Sequence, residues 1–326
     1  MKQHAFFICS ACLATVLLFL ILCQPDFSSD NQQKNYRVIA ILNPEGDMFW
    51  KTVWQGVQSS AEDAPFALSE YEYTFSNTTE ASELLDIAIR TNADGILLHP
   101  KDTLDSEFYN HLASAKQQGM KIVLLDGTIL THDYDAFVGI DNRNAGASAA
   151  QYIISNHEPR QEILLLLNEN GLSNALKKRV NGFFSAIGEK SISTNVYTIE
   201  TSSNVSQGIP DIQDFLLEND KITYLVAFSS TTTLKAAGAI SMSDLAERVQ
   251  VIGFGDNAEA LQYVKSGIIK ALFVQNSYQM GEKSVEIMEQ LLLDEEPVPL
   301  ENEIDIFLVT PDNIDEYMEK RGNGAP

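Results

Sequence analysis

Along most of the chain the apolar residues come in two alternating styles: short continuous runs, and longer stretches with apolar positions three and four apart. Ile163-Leu164-Leu165-Leu166-Leu167 is of the first kind. An unbroken apolar run bounded by polar residues is what a strand buried on both faces needs, and parallel sheets bury both faces. Residues 80–92 are of the second kind, with Ala81, Leu84, Leu85, Ile87 and Ala88 on one side of a helix. From Tyr36 onward the two styles take turns, the pattern of parallel strands joined by crossover helices. The runs predict strands over 36–43, 71–76, 95–100, 121–126, 135–141, 162–168, 195–201, 224–229, 249–254, 271–276 and 305–310. The spacing between them predicts helices that include 49–62, 80–92, 105–118, 144–155, 173–187, 206–218, 257–266 and 277–293. Two consecutive sets of five or six strands make an α/β protein of two doubly wound, Rossmann-like lobes.

The first 35 residues break this pattern. Ala5 to Leu22 is apolar and uncharged, follows Lys2, and leads into a polar stretch. At 1.5 Å per residue the run rises about 27 Å, close to the hydrocarbon thickness of a bilayer. Residues 1–23 are therefore expected to be an apolar helix serving as export signal or membrane anchor, with 24–35 a tether. No Ala-x-Ala site follows the run and the bulky Leu22 precedes Cys23, so retention, lipidation and cleavage all stay open. In each version the body lies at the extracytoplasmic face or in the cell envelope. Cys9, Cys12 and Cys23 all fall in this segment, and residues 24–326 carry no cysteine to form a disulfide.

Charge removes several classes of partner. With 45 acidic against 22 basic residues, a net −23, the chain lacks the basic surface that nucleic acid or an anionic membrane requires. No cofactor or metal is expected either. Gly253-Phe-Gly255-Asp256-Asn-Ala258 follows a strand and opens a helix, but Asp256 would stand where a pyrophosphate has to approach. It reads better as a tight turn whose acid caps the helix or accepts hydrogen bonds from a ligand. The five histidines have no zinc-ligand spacing, and no Walker loop or nucleophile elbow occurs. Nothing argues for an enzyme.

Open α/β sheets bind ligands at the carboxyl ends of their strands. After strand 36–43 come Asn43, Asp47, Phe49 and Trp50, two aromatic rings beside an acid. Flat rings cover the C–H face of a sugar and carboxylates accept from its hydroxyls. Strand 121–126 ends on Asp126, and strand 135–141 ends on Asp141-Asn142.

In order, these pieces resemble the ribose- and galactose-type sugar-binding proteins of the type I periplasmic binding protein family over residues 36–322. Asp47-Met48-Phe49-Trp50 is similar to the family's aromatic element, and Ala93-Asp-Gly-Ile-Leu-Leu-His99-Pro100 to its Ala-Asp-Gly-Ile-Ile-x-x-Pro. Val123-Leu-Leu-Asp126, Asp141-Asn142 and Gln275-Asn276-Ser-Tyr-Gln-Met-Gly281 match the strand end, first crossover and closing element. The resemblance implies a three-segment hinge joining a lobe of 36–140 plus 277–304 to one of 141–276 plus 305–322. The chain would cross near 141, 276 and 305, with Asp141, Asn276 and Thr310 as hinge residues. Phe49, Trp50, Asp126 and Gln275 carry over as ligand contacts, joined by Asn43 and Asp47. Departures stand at Gly127 and Lys177, where the family places arginines, at Ser229-Ser230 in place of Asn-Asp, and at Asp256, displaced by Gly255. Lys177, Ser229 and Asp256 are accordingly expected in an altered site. The implied function is substrate binding for the permease of an ABC importer. The alternative is a membrane-anchored sensor acting with a histidine kinase; a repressor would need an N-terminal helix-turn-helix, and residues 1–35 are apolar segment and tether.

Overall fold

The computed structural model describes residues 36–42, 48–72, 78–100, 105–156, 162–168, 173–188, 194–199, 204–294 and 297–322. The N-terminal apolar segment, Asn43 and Asp47 lie outside them. Among the described residues no helix is long and apolar enough to cross a membrane.

Twelve strands form two six-stranded sheets. The first contains β1 (Tyr36–Leu42), β2 (Phe66–Glu72), β3 (Gly95–Leu98), β4 (Lys121–Leu125), β5 (Ala136–Gly139) and β11 (Glu301–Glu303), in the order β11-β5-β4-β3-β1-β2. All its pairings are parallel. The second contains β6 (Glu162–Asn168), β7 (Thr194–Ile199), β8 (Ile222–Ala227), β9 (Gln250–Phe254), β10 (Ile269–Gln275) and β12 (Ile306–Val309), in the order β12-β10-β9-β8-β6-β7. There only β12 runs antiparallel, along β10. Both sheets therefore follow one scheme, in which the first strand of each set lies second from the edge and the order reverses beside it. That reversal is the switch point at which doubly wound sheets open a crevice.

Ten helices cover the sheets among the described residues: α1 (Met48–Ala61), α2 (Thr78–Arg90), α3 (Ser106–Gln117), α4 (Asn142–Asn156), α5 (Asn174–Gly188), α6 (Ile209–Glu218), α7 (Ser230–Ser241), α8 (Ala258–Lys265), α9 (Ser277–Leu293) and α10 (Ile314–Gly322). β3 and β5 are buried at every position, as strands covered on both faces must be. The stripe of α2 packs with α3 on the outer face of the first sheet, and α6, α7 and α8 enclose a core on the outer face of the second. A third core, shared by both lobes, runs along the inner helices.

Those inner helices meet in two glycine-locked pairs. In α4 and α5, a Cβ on Gly146 would lie 1.8 Å from the Arg179 carbonyl oxygen and one on Gly182 1.9 Å from that of Arg143. In α1 and α9, a Cβ on Gly56 would meet the Tyr278 carbonyl oxygen at 2.1 Å and one on Gly281 that of Val53 at 2.1 Å. Only residues without a side chain permit backbones this close.

Four elements depart from the sequence expectation, one of them α10, a short and mostly charged helix absent from the predicted ones. β2 begins at Phe66, directly after Pro65 and five residues ahead of the expected 71–76, whose last four residues lie outside the described ones; its ladder with β1 runs from Tyr36–Phe66 to Leu42–Glu72. α7 is absent from the predicted helices, since Ala236, Ala237, Gly238 and Ala239 are all buried and small residues make no stripe. β11 is a three-residue edge strand with only Asn302 buried, too short and polar to announce itself. The chain passes from the first sheet to the second between Glu303 and Ile306, so Thr310 lies beyond β12 and not at the crossing. Its N–H donates to Asn313 Oδ1 (2.8 Å) at the start of α10.

Candidate ligand-binding site

The carboxyl ends of both sets of strands carry the unusual side chains. Phe49 and Trp50 open α1 after β1, and their rings meet edge to face with centroids 5.3 Å apart. Trp50 also lies over His99, which follows β3, at 4.0 Å and 44°. His99 Nδ1 is 3.0 Å from the Leu125 carbonyl oxygen, which accepts the ring proton and so fixes the imidazole against the end of β4. Both Phe49 and Trp50 are buried in the shared core.

Asp126, one residue past β4, has φ +56°, a region that non-glycine residues seldom adopt. The bend brings its carboxylate inward, and Oδ1 is buried with no hydrogen-bond partner among the described residues. A Cβ on the next residue, Gly127, would lie 3.0 Å from both Cγ and the carbonyl oxygen of Pro100, so that position has little room for a side chain.

The second lobe answers with a cation. Arg179, on the buried side of α5, is 4% exposed, where a charge needs partners on every side. Its Nε and Nη2 donate to Asn142 Oδ1 (3.1 and 2.6 Å) and its Nη1 to the Phe228 carbonyl oxygen (2.6 Å). The guanidinium carbon lies 4.6 Å from the centre of the Phe254 ring. Phe228, Phe254 and Phe273 continue as a row of rings across the strand ends, with centroid separations of 5.8 and 5.2 Å. Burial pulls the Arg179 pKa down to about 10, and the negative charge of Asp126 from the opposite lobe acts against that fall. A cavity of about 120 Å³ lies between Asp126 and Thr128 on one side and Asn142 and Ala175 on the other.

Gln275 ends β10 with Oε1 buried and without a hydrogen-bond partner among the described residues. Asp256, buried after β9, accepts a hydrogen bond from Ser277 Oγ at the start of α9, so it ties the second lobe to the chain leaving it. Asn276 caps α9 by accepting from the Gln279 N–H (3.0 Å), and Asp141 accepts from the Asn144 N–H (2.9 Å) at the start of α4.

Ser229 forms a capping box with Thr232 at the start of α7. Lys177 is exposed, and the buried basic residue of its helix is Arg179. Counting from the helix start selects Lys177; the informative signal is that Arg179 shares the buried face with Val180, Phe183 and Ile187. A charge on an apolar stripe has a reason to be there. Asn142, which orients Arg179, also serves the first crossing, and sequence alone reads it only as part of a turn.

The arrangement offers two unpaired acceptors, one buried cation and stacked rings; no metal-binding cluster occurs among the described residues. A model of the periplasmic binding protein domain matches residues 39–296. The chain is 22% identical over 276 residues to the ribose import binding protein RbsB of Bacillus subtilis, covering 81% of this chain and 84% of that one. Among solved structures it resembles an ABC transporter solute binding protein from Agrobacterium vitis with bound D-fucose (TM-score 0.75, 24% identity, 87% and 98% of the two chains). It also resembles a chain of the XylFII–LytSN complex (TM-score 0.73, 21% identity, 85% and 98%). With the family model spanning most of the two-lobed body, the chain belongs to the periplasmic binding protein family and is a binding protein, not an enzyme.

Proposed function

We propose that this protein captures a small hydroxyl-rich ligand, a sugar, between its lobes and presents it to an ABC importer outside the cytoplasm. The observation that carries this reading is the pair of unpaired acceptors, Asp126 Oδ1 and Gln275 Oε1, on opposite lobes. Buried acceptors without donors are costly, and a polyol supplies donors to both at once. Trp50 and Phe49 provide ring surface for the sugar's C–H face, and Arg179 a fixed fork for neighbouring oxygens. Asp256 and Ser229 border the site through their turns, Asn43 and Asp47 belong to the β1–α1 connection, and Lys177 is assigned a solvent-facing place. The reading divides the body into 36–140 with 277–304 and 141–276 with 305–322, turning at Asp141, Asn276 and the 304–305 link. Residues 1–23 hold the protein at the membrane or direct its export. The relatives named above are described as binding ribose or holding D-fucose, which supports the sugar class. With little room at Gly127 for the family's arginine, ribose itself is disfavoured and a differently substituted sugar is the expected ligand.

The XylFII–LytSN likeness and the apolar run Ala5–Leu22 favour a second reading, a tethered sensor that acts with a histidine kinase. Melting the purified protein against a panel of pentoses, hexoses and their derivatives tests both, because a ligand bound only by the folded state raises the melting temperature by mass action. A rise with one or a few sugars is expected. No shift with any would sink the sugar assignment.

A further inference from the structure

A cavity of about 600 Å³ lies along α4; it shares Asp141 and Glu303 with the small cavity beside Asp126, but none of Phe49, Trp50, Asp126, Arg179 or Gln275 lines it. Its size is that of a small-molecule site, commonly about 300–1,000 Å³. One wall is the polar side of α4, where Asn144, Ser148, Gln151 and Ser155 recur at helical spacing. The facing wall is apolar: Phe273 of β10 with Ile304, Ile306 and Leu308 of the third crossing and β12. An amphipathic guest fits such a pair of walls.

The charge at the hinge end says what kind of guest. Asp141, Glu303 and Asp305 stand in the lining, and no lysine, arginine or histidine does. The fold brings them together: Gly139 and Glu303 are register partners, and the Ile304 N–H donates to the Gly139 carbonyl oxygen (2.7 Å). Asp141 and Asp305 therefore each follow, two residues on, along neighbouring segments leaving the first sheet. Among the described residues no three acidic, histidine or cysteine side chains are grouped closely enough for a metal ion. Spread carboxylates beside an apolar wall suit a cation larger than a metal, with carbon between or behind its charges.

We propose that this cavity is a second binding site, at the hinge, for a small aliphatic amine or diamine. Calorimetric titration of the full chain with cadaverine, with the neutral pentanediol of the same length as control, tests it. Cadaverine is expected to bind saturably and more weakly as salt rises, and the diol not at all. The double variant Glu303→Gln, Asp305→Asn changes two exposed side chains and should bind about three- to tenfold more weakly. Ser148→Trp should fill the cavity and abolish binding while leaving the sugar-induced melting shift in place. Absence of saturable heat from cadaverine, equal binding of the diol, or unchanged affinity in a folded Ser148→Trp protein would each overturn the proposal. Because the sugar shift is read separately, failure here and failure of the sugar reading are distinguishable.

Discussion

Arg179 shows how much one side chain can organise. It is a buried base held by an amide oxygen, a carbonyl oxygen and a ring face, with Asp126 across the lobes. Its pKa, lowered to about 10, leaves it charged at neutral pH. From about 10 up to the ordinary arginine range the unfolded chain binds the proton more tightly, so this group's contribution to stability rises with pH in that window and is flat below it. Ligand affinity that depends on this charge should likewise be constant through neutral pH and fall only as pH nears 10. A titration by calorimetry over that range checks it, and a midpoint near neutrality would assign the charge to another group. Arg179→Lys should weaken ligand binding by about ten- to a hundredfold, because an ammonium cannot hold Asn142 with two N–H groups and lie flat on Phe254. Unchanged affinity would remove the guanidinium from the site.

At the scale of elements, the two glycine-locked helix pairs are the stiff parts. α4 follows the first crossing and grips α5, which carries Arg179; α9 follows the second and grips α1, which carries Phe49 and Trp50. Gly146→Ala would push a methyl group into the Arg179 carbonyl and is expected to cost about 1–3 kcal/mol in urea unfolding. Gly188→Ala, where nothing lies within 4 Å of the added carbon, is the neutral control. Equal stability of the two variants would show that the helices part freely. Elements were legible in the sequence where burial is two-sided or the stripe is strong: β6, with Ile163 to Leu166 fully enclosed, and α9, whose bounds match the expected 277–293. They were illegible where composition hides the pattern. The alanines of α7 are buried without being strongly apolar, and β11 is specified by its ladder to β5, a long-range pairing that no local period records. The same holds in the site. Asp126 and Gln275 stand at strand ends and Trp50 in the first turn of the helix after β1, where position points; the Arg179–Asn142 bond spans 37 residues and exists only once α4 and α5 meet.

For the whole molecule, two sheets of one winding scheme are joined by three chain crossings. If the lobes close on a sugar, small-angle scattering should show the radius of gyration falling on addition of the ligand identified by melting, and the Arg179→Lys variant should need more ligand for the same change. An unaltered scattering curve at saturating ligand would mean that binding proceeds without closure. The number of crossings has a consequence of its own. Three is odd, so the described chain enters through β1 on one lobe and leaves through α10 on the other. Whatever is joined ahead of Tyr36 rides on the first lobe, and whatever is joined after Gly322 rides on the second. A fluorophore fused at each place would make the span between them a ruler for the angle of the jaws, with no cut or label inside the folded body.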